Sequence, residues 1–117
     1  MLDSMHRKRL GRAGENAAAK YLKRAGYRIE ERNFRTPFCE VDIIASKGDI
    51  TAFIEVKTRL NENYGRPCEA VTPAKRRLYF RAADYYFARR PMDCIVRFDV
   101  IEVLQGEINH IENAFGL

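Results

Sequence analysis

Most of the residues on which common catalytic devices depend are scarce in this chain. It has two histidines, His6 and His110, and three cysteines, Cys39, Cys68 and Cys94, with neither an H-E-x-x-H nor a C-x-x-C motif. A zinc hydrolase or a histidine-metal nuclease therefore has too few ligands. The cysteines are odd in number and widely spaced, which argues against a disulfide framework and leaves reduced thiols as the expected state. Neither of the two serines, Ser4 and Ser46, sits in a G-x-S-x-G elbow. Gly11-Arg-Ala-Gly14 is neither a P-loop nor a dinucleotide fingerprint. No apolar run approaches the roughly 20 residues that cross a bilayer, and no apolar stretch follows the basic N-terminus as a signal-peptide core would. The expectation is a cytoplasmic protein without a membrane partner.

What is present is charge, and it is segregated. The net charge is +5 over 117 residues. Residues 1–28 hold eight Lys or Arg against Asp3 and Glu15, and residues 72–90 hold six against Asp84. Residues 99–117 hold four acids and no Lys or Arg. Two basic helices forming one phosphate-facing surface would be the footprint of a nucleic-acid binder; charge alone is equally compatible with two solvated helix faces. The length suits one domain spanning residues 1–117, with no repeat or low-complexity linker.

Apolar residues recur at helical spacing from Arg7 to Ala25, and Gly26 ends the run. Strands are expected over Tyr27 to Phe34, Glu40 to Ala45 and Thr51 to Thr58, the last two forming a hairpin around Ser46-Lys-Gly-Asp49. A polar loop, Asn61 to Pro67, leads to Thr72-Pro73, a cap and first residue for a second helix to about Arg90. Pro91 stops it, and Ile95 to Leu104 and Glu107 to Ile111 read as strands around Gln105-Gly106. The order α-β-β-β-α-β-β is that of a mixed α/β sandwich, a central sheet flanked by helices.

Glu55-Val56-Lys57 lies in an otherwise apolar strand. Side chains two apart share a face, so Glu55 and Lys57 project together while Ile54 and Val56 face the other way. If an even-length loop closes the hairpin, Asp42 lies opposite an odd-numbered residue near Glu55 and joins the same face. Magnesium takes hard oxygen ligands and keeps several waters, so two carboxylates and a substrate phosphate suffice for a site. A lysine beside them can orient an attacking water or offset charge in the transition state. Taken singly, the three charges suit an ion pair and a turn cap; their shared face favours function, because desolvating them merely for stability is costly.

Glu15 lies at the edge of the apolar stripe of the first helix, placed either to look into the sheet or to pair with a surface cation. Lys75 and Arg76 on the second helix, Arg59 just after the lysine strand and Arg12 on the first helix are the candidate phosphate contacts. Tyr79, Tyr85 and Tyr86 are interleaved with those cations and are expected mostly to pack.

Several ordered segments, Gly11-Arg-Ala-Gly-Glu15, Tyr21-Leu22, Gly26-Tyr27, Arg32-Asn33-Phe34, Glu40-Val-Asp42-Ile-Ile44, Phe53-Ile-Glu-Val-Lys-Thr-Arg59 and Arg97-Phe-Asp-Val100, together resemble the YraN family of predicted bacterial endonucleases. That family is similar to Holliday-junction resolvases and to the PD-(D/E)XK, restriction-endonuclease-like class. The resemblance implies that Asp42 and Glu55 bind Mg2+, or Mn2+ in its place, with the backbone carbonyl of Val56 as a further ligand. It also implies that Lys57 acts at the attacking water and that Glu15 contributes from the first helix. Where the family usually has glycine before its Glu-x-Asp, this chain has Cys39, which bears on the strand entry more than on the metal site.

The expected function is metal-dependent hydrolysis of phosphodiesters, with DNA favoured over RNA, branched or recombining DNA as one candidate substrate, and a homodimer suited to a two-fold junction if that is the substrate. The competing readings are a nuclease-like module that binds nucleic acid without cutting and a structural subunit with a protein partner.

Overall fold

In the computed structural model, residues 4–59 and 71–115 are described here, with side chains from residue 11 onward. The expected polar loop from Asn61 to Pro67, and Cys68, lie outside the described residues. The elements are α1 (Ser4–Arg24), β1 (Arg28–Arg35), β2 (Glu40–Lys47), β3 (Ile50–Arg59), α2 (Pro73–Arg89), β4 (Ile95–Leu104) and β5 (Glu107–Ile111). The protein is thus α/β, with two helices and a five-stranded mixed sheet in the order β1-β2-β3-β4-β5. Only the β3–β4 pair is parallel, as it must be when a helical crossover rather than a hairpin joins the strands.

Local chemistry accounts for the boundaries. Gly26 has a φ of +94°, and the Tyr27 N–H reaches back to the Leu22 carbonyl at 2.9 Å, a glycine-ended helix terminus. The Thr72 hydroxyl accepts from the Lys75 N–H at 3.2 Å, with Pro73 as the first helical residue. Gln105 and Gly106 both take positive φ, 50° and 82°, the two-residue turn whose twist matches a hairpin.

The sheet has a core on each face. Ala18, Ala19 and Leu22 of α1 pack on Ile43, Ala45, Ala52, Ile54, Ile101 and Val103. Tyr79, Ala82, Ala83 and Tyr86 of α2 pack on Ile44, Phe53, Phe98 and Val100. The helices therefore lie on opposite faces, and their basic residues do not form the one shared surface that charge segregation suggested. Gly14 allows α1 to approach closely, because a Cβ there would lie 1.9 Å from Thr58 Oγ1. That contact sets Glu15 over the end of the sheet. No described helix is long and apolar enough to cross a membrane.

Candidate functional site

The β2–β3 hairpin turns on Gly48 and Asp49, and its register runs from Lys47 opposite Ile50 to Ile43 opposite Ile54. The paired register ends there, and Asp42 and Glu55 are the next residues beyond it on the two strands. The loop has two residues, Gly48 and Asp49, and is even, as the parity argument required. Asp42 Oδ2 accepts from the Val56 N–H at 2.8 Å, which ties the carboxylate to the backbone beside its partner acid.

Glu55 is 6% exposed and lies with Phe53 on the α2 side of the sheet. Two α2 side chains hold it: Lys75 Nζ lies 2.5 Å from Oε1, and the Tyr79 hydroxyl donates to Oε2. Among the described residues Asp42 has no ion-pair partner. Burial pushes its pKa up to about 7, and the Glu55 charge adds to the rise, with a smaller push from Glu15; the Val56 N–H and Lys75 oppose it. Burial and the same two acids, Glu55 and Asp42, raise the Tyr79 phenol well above its usual value.

Lys57 shares the face of Glu55 by strand alternation and is half-buried. Among the described residues it has no ion-pair partner. Its neighbour across the parallel ladder is Glu102, whose carboxylate pairs with Arg59. Arg59, expected at a phosphate, is only 9% exposed and faces that internal partner.

Glu15 reaches the site from α1. The amide of Asn33, oriented with its nitrogen toward the carboxylates, donates to both Glu15 oxygens at 3.2 Å and to Glu40 Oε1 at 3.1 Å; the opposite orientation would set its oxygen against acids. Asn33 adopts a left-handed φ of 52°, a conformation that asparagine tolerates better than most residues. Arg32 and Phe34 pair with Ile43 and Val41, so Asn33 stands across from Asp42. Asn33 on β1 and Asp42 on β2 thus meet next to the strand that carries Glu55.

The other candidates are placed differently. Arg76 is half-buried and its Nε donates to the Val71 carbonyl at 3.2 Å. Arg12 is exposed on α1. Cys39, where glycine was expected, has no left-handed backbone angle; its thiol reaches the Leu78 carbonyl at 3.6 Å, and burial and then Glu55 raise its pKa.

Tyr79, Asn33 and Glu102 were missed as site residues. The signal for Tyr79 was its position four residues after Lys75, which puts both on one helix face. A second polar cluster, on the α1 face, was also missed. Asp99, fully buried, accepts from Arg97 Nη2 at 2.8 Å and from the Asn113 N–H at 2.9 Å, and lies 2.7 Å from His110 Nε2. Burial would raise its pKa, but the bonds from His110, Arg97 and Asn113 lower it overall. Every charge in that cluster is answered internally, which marks it as structural.

Asp42 and Lys57 of the first site have no ion-pair partner among the described residues. Among the described residues no group of three or more His, Cys, Asp or Glu side chains is gathered as a metal cage. Two hard carboxylates on adjacent strands, one with its pKa raised by burial and then by the other's charge, nevertheless match the sparse protein ligation that magnesium accepts.

Residues 14–103 match the family described as "Uncharacterised protein family UPF0102". The chain belongs to that family. A UPF0102 protein of Alkaliphilus metalliredigens is 48% identical over 92% of this chain and 98% of its own length. One from Caldicellulosiruptor saccharolyticus is 44% identical over 95% of this chain and 100% of its own. One from Geobacter sulfurreducens is 48% identical over 97% and 94%. The UPF0102 match encloses Glu15, Asn33, Asp42, Glu55, Lys57, Lys75 and Tyr79.

Proposed function

We propose that this chain is a metal-dependent nuclease on a restriction-endonuclease-like sandwich, hydrolysing phosphodiester bonds in DNA. The observation that carries the reading is the proximity of half-buried Asp42, bonded to the Val56 N–H, and buried Glu55, with Lys57 on the face of Glu55. Asp42 and Glu55 would hold Mg2+, or Mn2+ in its place, and the carbonyl of Val56 is the further candidate ligand. A divalent ion bound there supplies Lewis-acid polarisation of the phosphate and a bound water of lowered pKa.

The residues of the chain perform the remaining tasks. Lys57 orients the attacking water and offsets the charge that grows on the phosphate oxygens. Tyr79 and Lys75 fix the Glu55 rotamer from α2, and Asn33 fixes Glu15. Lys75, whose side chain is 36% exposed beside Glu55, would contact a substrate phosphate. Branched DNA, a homodimer with two such sites and a cytoplasmic setting belong to the same proposal.

The competing reading, a module that binds nucleic acid without cutting, draws support from Lys75, because an internal ammonium already neutralises Glu55. The deciding experiment is cleavage of single-stranded, duplex and branched DNA and RNA with Mg2+ or Mn2+, wild type against Glu55→Gln purified identically. Cutting that disappears with the variant and with chelator supports the enzyme. Equal behaviour of the two proteins, with salt-sensitive binding and no cutting, supports the binding module.

A further inference from the structure

The outer face of α2 carries a cleft that the proposed chemistry does not use. It is lined by Phe38, Arg81, Asp84, Tyr85, Ala88 and Arg89 and has a volume of about 350 Å³, within the range of small-ligand clefts. We infer that this cleft is a stacking subsite for a nucleobase of an unpaired nucleic-acid strand. The inference rests on the nucleic-acid reading of the neighbouring site and adds the form of the substrate.

Three observations carry it. First, the aromatic rings are presented, not hidden. Phe38 and Tyr85 are half-buried, in edge-to-face contact at 6.5 Å. Phe38 projects from a turn that Thr36 locks: the Thr36 hydroxyl accepts from the N–H groups of Phe38 and Cys39, each at 3.1 Å, and donates to the Cys39 carbonyl at 2.9 Å. A ring held by such a turn loses little entropy when a base stacks on it.

Second, the charge is complementary to a phosphate backbone. The Arg81 guanidinium lies 4.5 Å from the Phe38 ring centre and that of Arg89 3.6 Å from the Tyr85 ring centre. Both arginines are exposed, so each ring is flanked by a cation that a phosphate can reach. Rings alternating with planar cations are the arrangement that grips single strands, whereas a duplex keeps its base faces stacked internally.

Third, the same helix and the same turn carry residues of both the cleft and the acidic site. Lys75, Tyr79 and Tyr85 lie on one helix, and ten residues of α2 span about 15 Å. The turn bearing Phe38 is pinned to the same helix by the Cys39 thiol on the Leu78 carbonyl and continues into β2, which carries Asp42. A strand whose phosphate lies at Glu55 can therefore run along α2 and place a base on Phe38 and Tyr85. Asp84, the acid in the cleft, can accept from an exocyclic amino group, which cytosine and adenine have and thymine lacks.

The test is binding of short oligo-dC, oligo-dT and a duplex of equal length, with chelator present so that cutting does not enter. Wild type is compared with Phe38→Leu, Tyr85→Leu and Arg89→Gln, each checked for an unchanged circular dichroism spectrum. The expected result is a loss of about tenfold in single-strand affinity for each aromatic variant, duplex affinity within about twofold, and oligo-dC bound more tightly than oligo-dT. Phe38→Leu and Arg89→Gln lie outside the core and keep the test open if Tyr85→Leu fails to fold. Unchanged single-strand affinity, or equal losses for single strand and duplex, would overturn the subsite. Either result leaves the nuclease reading to be judged separately by metal-dependent cleavage.

Discussion

Lys75 Nζ lies 2.5 Å from Glu55 Oε1, so the acid proposed to hold a metal already holds an ammonium of its own chain. The Lys75 side chain is 36% exposed and that of Glu55 7%; the pair is half-way between a surface salt bridge and a buried one.

Lys75→Met should therefore have two opposite effects. Removing one partner of a largely buried pair leaves Glu55 uncompensated, which should cost about 1–3 kcal/mol of stability after allowance for the exposure of the lysine. The more negative site should bind Mn2+ about tenfold more tightly. Urea unfolding and metal titration of the same preparation measure both, and weaker metal binding would mean that Lys75 does not compete for Glu55.

Tyr79→Phe keeps the ring in the α2 core and removes only the hydroxyl that donates to Glu55. Hydrogen bonds to charged groups contribute about 1.5–3 kcal/mol, so unfolding should shift by roughly that amount. A change below about 0.5 kcal/mol would show that Glu55 does not depend on the phenol.

Asp42 makes stability fall as pH rises. Its carboxyl is raised from 3.8 to about 7 in the fold, so between those values the folded state holds more protons than the unfolded chain, and folding weakens across that window. The size should be on the order of a few kcal/mol, and Asp42→Asn should flatten it. A urea series between pH 4 and 7 measures the slope, and an unchanged slope in the variant would assign the effect elsewhere.

Asp99 has the opposite sign. Its pKa is lowered in the fold, so its contribution is present above the ordinary carboxylate range and is lost as pH falls through the lowered value. Asp99→Asn should cost about 2–4 kcal/mol near neutrality, because it leaves the largely buried Arg97 with only the exposed Glu112 carboxylate, 3.6 Å away, as a counter-ion. The same unfolding assay shows whether that loss occurs and whether it narrows in acid.

The parts of the site readable from the residues were those governed by strand parity and local chain chemistry. Alternation along β3 placed Glu55 with Lys57, an even hairpin loop placed Asp42 near Glu55, and Thr72-Pro73 and Gly26 marked helix ends. What could not be read depended on how elements pack. The face of α2 that meets the sheet decides that Lys75 and Tyr79 reach Glu55 while Tyr85 turns outward. Arg59 looked like a cation beyond a strand end until β4 brought Glu102 alongside. Asn33 acts through a left-handed backbone angle that periodicity does not reveal, and Asp99, Arg97 and His110 meet only once β5 folds back on β4.

The most direct measurement is Mn2+ binding, followed by electron paramagnetic resonance, to the wild type and to Asp42→Asn, Glu55→Gln and Lys57→Met, with cleavage of the preferred DNA measured in parallel. Wild type should bind the ion, both carboxylate variants should lose it by at least about tenfold, and Lys57→Met should keep it while losing cleavage. Equal Mn2+ binding by all four proteins would contradict a metal site shared by Asp42 and Glu55.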